Sequence, residues 1–448
     1  MAVADAIGAA IAAGELRPGQ QLPTHRSLAD NLGVDLTTIT RAYSEARKRG
    51  LLHATVGRGT FIRSQGQLAP PQKSPRGPVD LGMNVPPLPP DAQLQHLLRK
   101  GLSRLMAKSE AAELLTYQSA CGTLEQRAAG TLWLRPTFGK LNVERVLVCS
   151  GAQSALTAVL GTLAQPGNVV LTDALTYPGL RAAAAQLSIQ LVGVATDADG
   201  ILPGALERAC RKVRPQALYC IPTIQNPTTA TMPLQRRRAI AEVARRNDLR
   251  VIEDDAYGLL PSSPLPAIAS LAPEISFHVA TVSKTLSPAL RIAYLAVPDA
   301  AWAMRMRTAL QSTALMASPL LTSLVTAWVN DGTANTVVSA IRRESAARQA
   351  MAREVLPAGS FAAHPEGLHL WLNLPSRWDR RDFVASLQQQ SGLVVVASDA
   401  FAVVTTRLPE AVRVSLGAAS TRDRLHGALE SVAAALRRQS VPPFAGVV

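Results

Sequence analysis

Apolar residues follow two rhythms along this chain. Up to Ile62 they recur at helical spacing in short runs. Ala4 to Ala13 gathers them on one face, Gly14 ends the run, and LRPGQQLP forms a loop. Thr24 supplies a cap for a helix, THRSLADNLG, that stops at Gly33. Thr37 or Thr38 lies in the first turn of another, through ITRAYSEARKR to Gly50. LLHATVGRGTFI reads as two short strands around the turn Val56-Gly57-Arg58-Gly59. The predicted order is helix, turn, helix, wing.

Beyond residue 91 the rhythm changes. Apolar runs VLVCS (146–150), NVVLT (168–172), ALYCIPT (217–223), RVIEDD (250–255) and FHVATVS (277–283) alternate with Ala- and Arg-rich helical stretches. Short apolar strands interleaved with helices predict an α/β fold with a mainly parallel sheet covered on both faces. Ligands in such folds bind at the carboxyl ends of the strands. Between the two regions, residues 65–90 hold eight prolines, from Pro70 to Pro90, which leave no room for a long helix or central strand. The expected organisation is a first domain over 1–64, a Pro-rich linker over 65–79 and a large domain over 80–443. The later prolines lie across that large domain.

Composition adds little that is specific. Hydrophobic residues make up 47% of 448 but aromatics only 4%, so the core is built mostly of Ala, Leu and Val. The formal net charge of +14 suits a polyanion partner or simply solvated helix faces. Cys121, Cys149, Cys210 and Cys220 form no C-x-x-C pair, so neither a zinc site nor a disulfide framework is expected. Asp5 and Glu15 interrupt the N-terminal apolar residues, and no apolar run approaches the roughly 20 residues that span a bilayer. A cytoplasmic protein without a metal is expected.

The chemistry-bearing residues fall at predicted strand ends. In TVSKTLSPALR, Lys284 is either a solvated surface amine or a nucleophile, with Thr281, Ser283 and Arg291 arranged for a phosphate. After VLVCS, Gly151 turns the chain into a helix whose first N–H groups, at Ala152 and Gln153, can cradle a phosphate or merely begin a helix. In VIEDDAY, alternation sets Asp254 against its neighbours, so it points into a pocket if Glu253 and Asp255 face water. Asn226 precedes a proline, where it donates to a ligand oxygen or starts a turn, and Tyr177 stacks on a flat ring or fills a loop. Together these groups describe pyridoxal 5′-phosphate: an aldehyde-reactive amine, a phosphate site, an anion for a ring nitrogen, and an aromatic face. In the first domain, Arg26, Thr37, Thr38, Arg41 and Arg58 are placed for a DNA backbone and groove. The alternative is a small packing module with solvated arginines.

Two resemblances bear on these readings. LRPGQQLPTHRSLADNLGVDLTTITRAYSEARKRGLL followed by GRGTFI resembles the winged helix-turn-helix of the GntR transcription regulators, over about residues 4–63. Asp35-Leu36 stands where that family often has Ser-Arg. The stretch from about 80 to 440 resembles fold-type I, class I/II aminotransferases, so the whole chain is similar to MocR-type regulators. The resemblance implies an N-terminal winged helix-turn-helix, a mainly parallel large domain and a small C-terminal α+β domain.

It implies roles as well. The S-K-x-x-x-x-x-x-R match makes Lys284 the cofactor lysine, with Thr281, Ser283 and Arg291 at the phosphate. The D-x-A-Y match gives Asp254 to the pyridine nitrogen and Tyr257 to the ring oxygen, which Asn226 shares. Tyr177 stacks on the ring, and Ala152 and Gln153 meet the phosphate. Tyr117 reaches the partner subunit's phosphate in a head-to-tail homodimer, and Arg413 grips the α-carboxylate of a small amino compound. Thr229 departs from a family glycine. The implied function is a pyridoxal 5′-phosphate-dependent regulator that binds double-stranded operator DNA and senses an amino compound or the cofactor itself. The alternative is an aminotransferase with a vestigial reader.

Overall fold

The structure, a computed structural model, describes residues 3, 5–7, 10, 15–16, 20–48, 52–55, 59–62, 79–107, 111–404 and 408–438. Arg58, most of the first predicted helix, the linker stretch to residue 78 and the boundaries at 64 and 443 lie outside the described residues. The chain divides into two units, Met1–Gly77 and Pro78–Val448.

In the first unit, α1 (His25–Leu32) begins where Thr24 Oγ1 accepts from the Ser27 amide at 3.2 Å. It ends at Gly33, whose φ of 63° puts it in the left-handed region that glycine enters without strain. Helix α2 spans Leu36–Lys48. Ile39, Tyr43 and Ala46 recur at helical spacing on its buried face and pack on Leu22, Ala29 and Leu52. The Tyr43 hydroxyl donates to the Pro23 carbonyl at 2.9 Å, so the largest buried side chain of this core is also satisfied. Strands β1 (Leu52–Thr55) and β2 (Gly59–Ile62) pair antiparallel. Helix, turn, helix and wing follow in the expected order.

The second unit is built on a seven-stranded sheet. Its strands are β3 (Val146–Cys149), β4 (Val169–Asp173), β5 (Gln190–Val194), β8 (Ala217–Cys220), β9 (Arg250–Asp255), β10 (Ser276–Thr281) and β11 (Ala293–Ala296). The strands β6 (Thr196–Asp197) and β7 (Gly200–Ile201) form a separate hairpin. The order β3-β11-β10-β9-β8-β4-β5 is parallel except for β11, which runs against both neighbours. β3, β8 and β10 are buried throughout their length, as apolar strands covered on both faces must be. A second, antiparallel sheet comprises β12 (Phe361–Ala363), β13 (His369–Asn373), β14 (Val396–Ala397) and β15 (Ala411–Ser415), in the order β12-β13-β15-β14. It carries its own core, which includes Leu370, Leu372, Val412 and Val414. The four cysteines are free and buried. Among the described residues, no helix is long and apolar enough to cross a membrane, and no group of metal-ligating side chains occurs.

One buried cation holds a site loop to this frame. Arg237, on α5 (Leu234–Arg246), is 1% exposed and has no carboxylate partner among the described residues. Its guanidinium donates to the carbonyls of Met232, Pro266 and Pro222 at 2.9, 3.1 and 3.1 Å, and to Thr223 Oγ1 at 2.8 Å. Replacing it by a side chain of similar bulk that cannot donate, Arg237→Met, leaves buried acceptors unpaired. The expected loss is about 2–3 kcal/mol of stability, read as a lower denaturant midpoint at unchanged m.

Candidate functional site

The carboxyl ends of β3, β4, β8, β9 and β10 open toward one region. Asp254 is the fifth residue of β9 and pairs in register with Val279 of β10, and Lys284 stands three residues past the end of β10. The Lys284 amine donates to the backbone carbonyl of Asn84, in the segment just after the prolines at 70–78. Burial lowers the Lys284 pKa to about 8; Arg413 pushes the same way and Asp254 opposes it. A lysine that is mostly cation in water is here close to its neutral, nucleophilic form.

Asp254 is 6% exposed. Its Oδ2 accepts from the Tyr219 hydroxyl at 2.6 Å, and Oδ1 has no partner among the described residues. Burial raises the carboxyl to about 6, against the pull of the Tyr219 hydrogen bond. Glu253 and Asp255 do point to the opposite face, but not to water. Their oxygens lie 3.3 and 3.4 Å from the two nitrogens of the fully buried His278. Burial pulls that imidazole down, yet the two carboxylates outweigh it and hold His278 up at about 10. The acidic run is buried because an imidazolium in β10 neutralises its far side.

The phosphate-type residues gather at the start of α3 (Ala152–Leu163). Gly151 has φ 89°, and a Cβ there would lie 3.1 Å from the Arg291 guanidinium. Glycine is therefore what lets Arg291 lie over the first turn of α3. Gln153 Nε2 donates to the Gly179 carbonyl at 2.9 Å. Gln153 Oε1 and Ser154 Oγ are buried without partners among the described residues. Thr281 Oγ1 lies 2.9 Å from Ser283 Oγ and accepts from the Ser283 amide at 3.2 Å. Tyr177 stands just before α4 (Pro178–Gln186); burial raises its hydroxyl pKa, Asp254 adds to this, and Arg291 and Arg413 oppose it.

Arg413, on β15, reaches in from the second sheet. It is 7% exposed and donates to Asn226 Oδ1 at 2.8 Å and to the Gly82 carbonyl at 2.5 Å. Its guanidinium sits 5.0 Å from the Phe401 ring centroid, and Nε has no partner among the described residues. The Asn226-Pro227 peptide is cis, and Thr229 has φ 66°, the conformation for which the expected glycine is suited. Tyr257 accepts from Asn84 Nδ2 at 2.9 Å.

The structure thus brings together Lys284, Asp254, Tyr257, Asn226, Tyr177, Ala152, Gln153, Thr281, Ser283, Arg291 and Arg413. Tyr117 is not among them: it is 82% exposed. In the first unit Arg26, Thr37, Thr38 and Arg41 are all exposed. The Thr37 hydroxyl is already committed to Asp35, whose carboxylate also accepts the Thr37 amide at 2.7 Å and caps α2. Asp35 therefore serves the helix start and takes one donor away from the surface.

Three residues of the site escape a reading by motif. Tyr219 lies inside an apolar strand, Asn84 in a proline-rich stretch, and His369 alone in β13. No local pattern marks any of them; only the fold brings them to Asp254 and Tyr257.

These residues fit pyridoxal 5′-phosphate. An unpartnered buried carboxylate oxygen suits a ring cation. The start of α3 beneath the Arg291 guanidinium, with the Ser154 hydroxyl unpartnered among the described residues, suits a phosphate, and the lowered lysine suits an aldehyde.

Both parts of the chain match known protein families. Residues 76–432 match the family "Aminotransferase class I and II" and residues 1–62 match "Bacterial regulatory proteins, gntR family". The chain is 33% identical over 420 residues to the uncharacterized HTH-type transcriptional regulator YdeF of Bacillus subtilis (strain 168), covering 93% of this chain and 89% of that one. It is 30% identical over 416 residues to the vitamin B6 salvage pathway transcriptional repressor PtsJ of Salmonella typhimurium, covering 89% and 90%. In fold it is similar to a kynurenine aminotransferase from Pyrococcus horikoshii, with TM-score 0.73 and 24% identity over 80% of this chain and 90% of that one.

Proposed function

This chain belongs to the aminotransferase class I and II family, with a GntR-family DNA-binding unit at its N-terminus, and we propose that this MocR-type transcription regulator senses an amino compound, or its cofactor pyridoxal 5′-phosphate, at the Lys284 site. One observation carries the reading. A helix-turn-helix with a wing and a buried lysine–aspartate site stand on one chain. When bound, the cofactor supplies an electrophilic carbon and a ring that withdraws electrons from the bonds made there.

The chain's own residues do the rest. Asp254, an anion above about pH 6, holds a ring nitrogen protonated. Arg291 and the α3 amides hold the phosphate, and Tyr177 covers the ring. Asn226 and Tyr257 address the ring oxygen. Arg413 takes a carboxylate of the sensed compound, for which the Phe401 ring and Asn226 fix its direction. Lys284, with its pKa near 8, would be suited to move a proton at neutral pH.

Control of transcription needs a ligand with different affinity for two arrangements of the protein, and a difference of about 1–3 kcal/mol is enough. A head-to-tail homodimer fits the exposure of three large side chains, Leu115, Tyr117 and Leu124. It would carry Tyr117 to the partner's phosphate and present two readers to two half-sites. The buried free thiols support a reducing, cytoplasmic setting.

The experiment is DNA binding at physiological salt, using the DNA upstream of its own gene and of the adjacent operon. Preference over random DNA supports the regulator; equal binding, with and without cofactor, refutes it. The exposed Arg26 makes a sharper point. Arg26→Ala is expected to lower affinity severalfold for every sequence and to make the slope of log K against log salt shallower by about one, as loss of one phosphate contact requires. An unchanged slope would place Arg26 away from the backbone. The aminotransferase reading is tested by steady turnover of amino donors with 2-oxo acids at about 1 s⁻¹ or more.

A further inference from the structure

Residues 79–85 follow directly on the proline-rich stretch that joins the two units, and they are tied at both ends. The Val394 amide donates to the Val79 carbonyl at 3.4 Å, Asp80 bridges to Val394, and the Ser415 amide donates to the Leu81 carbonyl at 2.8 Å. Leu81 is fully buried in the core of the second sheet. The segment's first half therefore moves with that sheet. Asp80 Oδ1 then accepts the amides of Gly82 and Met83 at 2.8 and 3.3 Å and turns the chain.

The second half crosses the site. The Gly82 carbonyl accepts from Arg413 at 2.5 Å, and the Asn84 carbonyl accepts from the Lys284 amine. Asn84 Nδ2 lies 2.9 Å from the Tyr257 hydroxyl oxygen and 3.2 Å from His369 Nδ1. His369 Nε2 faces the Gln225 carbonyl at 3.3 Å, which assigns the imidazole proton to Nε2 and leaves Nδ1 as an acceptor. Both hydrogens of the Asn84 amide are then used, and Asn84 Oδ1 is buried with no partner among the described residues. The fit is close on the far side as well: a Cβ on Gly417 would fall 1.8 Å from the Val85 carbonyl oxygen.

Two cations are thus held by one strand of backbone, one from each sheet. They are the same two that the proposed function gives to the cofactor and to the effector carboxylate. We propose that residues 79–85 are a strap that reports occupancy of the Lys284–Arg413 site to the tether: binding there exchanges the strap's carbonyls for ligand contacts, and the segment that leads to the DNA reader is released or drawn with the second sheet. The neutral Lys284 amine, condensing with an aldehyde, gives two hydrogens to the departing water and with them its bond to the Asn84 carbonyl. A carboxylate at Arg413 competes directly with the Gly82 carbonyl, and an anion outbids a neutral acceptor for a buried guanidinium. This rests on the assignment of Lys284 and Arg413 in the proposed function.

The test uses full-length protein and pyridoxal 5′-phosphate as the probe. Cofactor binding is followed by absorbance, strap opening by hydrogen–deuterium exchange of the amides at 82–85, and output by affinity for DNA upstream of the gene. In the wild type, cofactor should speed exchange at 82–85 by about fivefold or more and shift the DNA Kd by about 5- to 150-fold. Asp80→Ala alters an exposed side chain that folds the strap and places a negative charge near Arg413, the proposed effector-binding residue, but is not among the residues assigned to the cofactor. It should keep the cofactor Kd within about threefold while losing most of the cofactor-dependent shift in DNA affinity. Gly417→Ala, which displaces the strap at Val85, should do the same. Unchanged exchange at 82–85, or a full shift retained in Asp80→Ala, overturns the strap and leaves the sensor reading standing. Wild-type protein that fails to take up the cofactor overturns both.

Discussion

Lys284→Ala is expected to lose the absorbance band at about 400–430 nm that wild-type protein acquires with pyridoxal 5′-phosphate, while its circular dichroism and thermal midpoint stay close to wild type. The band requires a covalent bond from an amine held against the ring. Among the residues gathered at the strand ends, Lys284 alone offers a side-chain amine. Its local structure does not depend on that amine, because among the described residues its one hydrogen bond is to the Asn84 carbonyl. Burial makes the amine reactive as well as unique. With a pKa of about 8, roughly 9% is neutral at pH 7; an ordinary lysine at 10.5 would be about 0.03% neutral. The sign follows from the lowered value. Capture of the cofactor should quicken as pH rises toward 8 and level off above it, because the neutral amine then predominates. Stopped-flow absorbance from pH 6 to pH 9 checks this, and a rate that climbs steadily past pH 9 would place the reacting amine in water instead.

Asp254→Asn should weaken cofactor binding by about 10²–10³-fold, with the fold intact. The substitution keeps the shape and the acceptor that faces Tyr219, and removes only the charge. That charge is costly to hold: the group is buried, one oxygen lacks a partner, and burial has already raised it to about 6. A cationic ring nitrogen is the group that offsets this cost, and truncating one partner of a buried charge pair leaves the other stranded, at about 3–4 kcal/mol. Spectral titration reads the Kd directly. A Kd within about threefold of wild type would show that Asp254 serves the fold through Tyr219 and not the cofactor.

What was legible in the sequence was whatever local chemistry fixes. Thr24 and Gly33 mark a helix by their side chain and conformation, and the structure shows both doing so. The apolar runs at 146–150, 168–172, 217–223, 250–255 and 277–283 each contain a strand of one mainly parallel sheet, because only strands covered on both faces read that way. Lys284 and Asp254 were visible because an isolated amine and a triple acid at strand ends are chemically conspicuous. Thr229 was visible as a departure, and its left-handed φ shows what a glycine there would ease.

The rest depends on long-range placement. Asn84 lies 173 residues from Tyr257 and 285 from His369, so no spacing rule joins them. Alternation correctly set Asp254 against Glu253 and Asp255, but it could not say that His278, on the neighbouring strand, would bury those two acids. The competition of Asp35 for the Thr37 hydroxyl is likewise a matter of side-chain geometry within one turn.

The most direct test is to locate the bond. Wild-type protein loaded with pyridoxal 5′-phosphate, reduced with borohydride, digested and analysed by mass spectrometry should carry one cofactor adduct, on the peptide that contains Lys284. An unmodified Lys284 peptide, or an adduct confined to another lysine, would contradict the account.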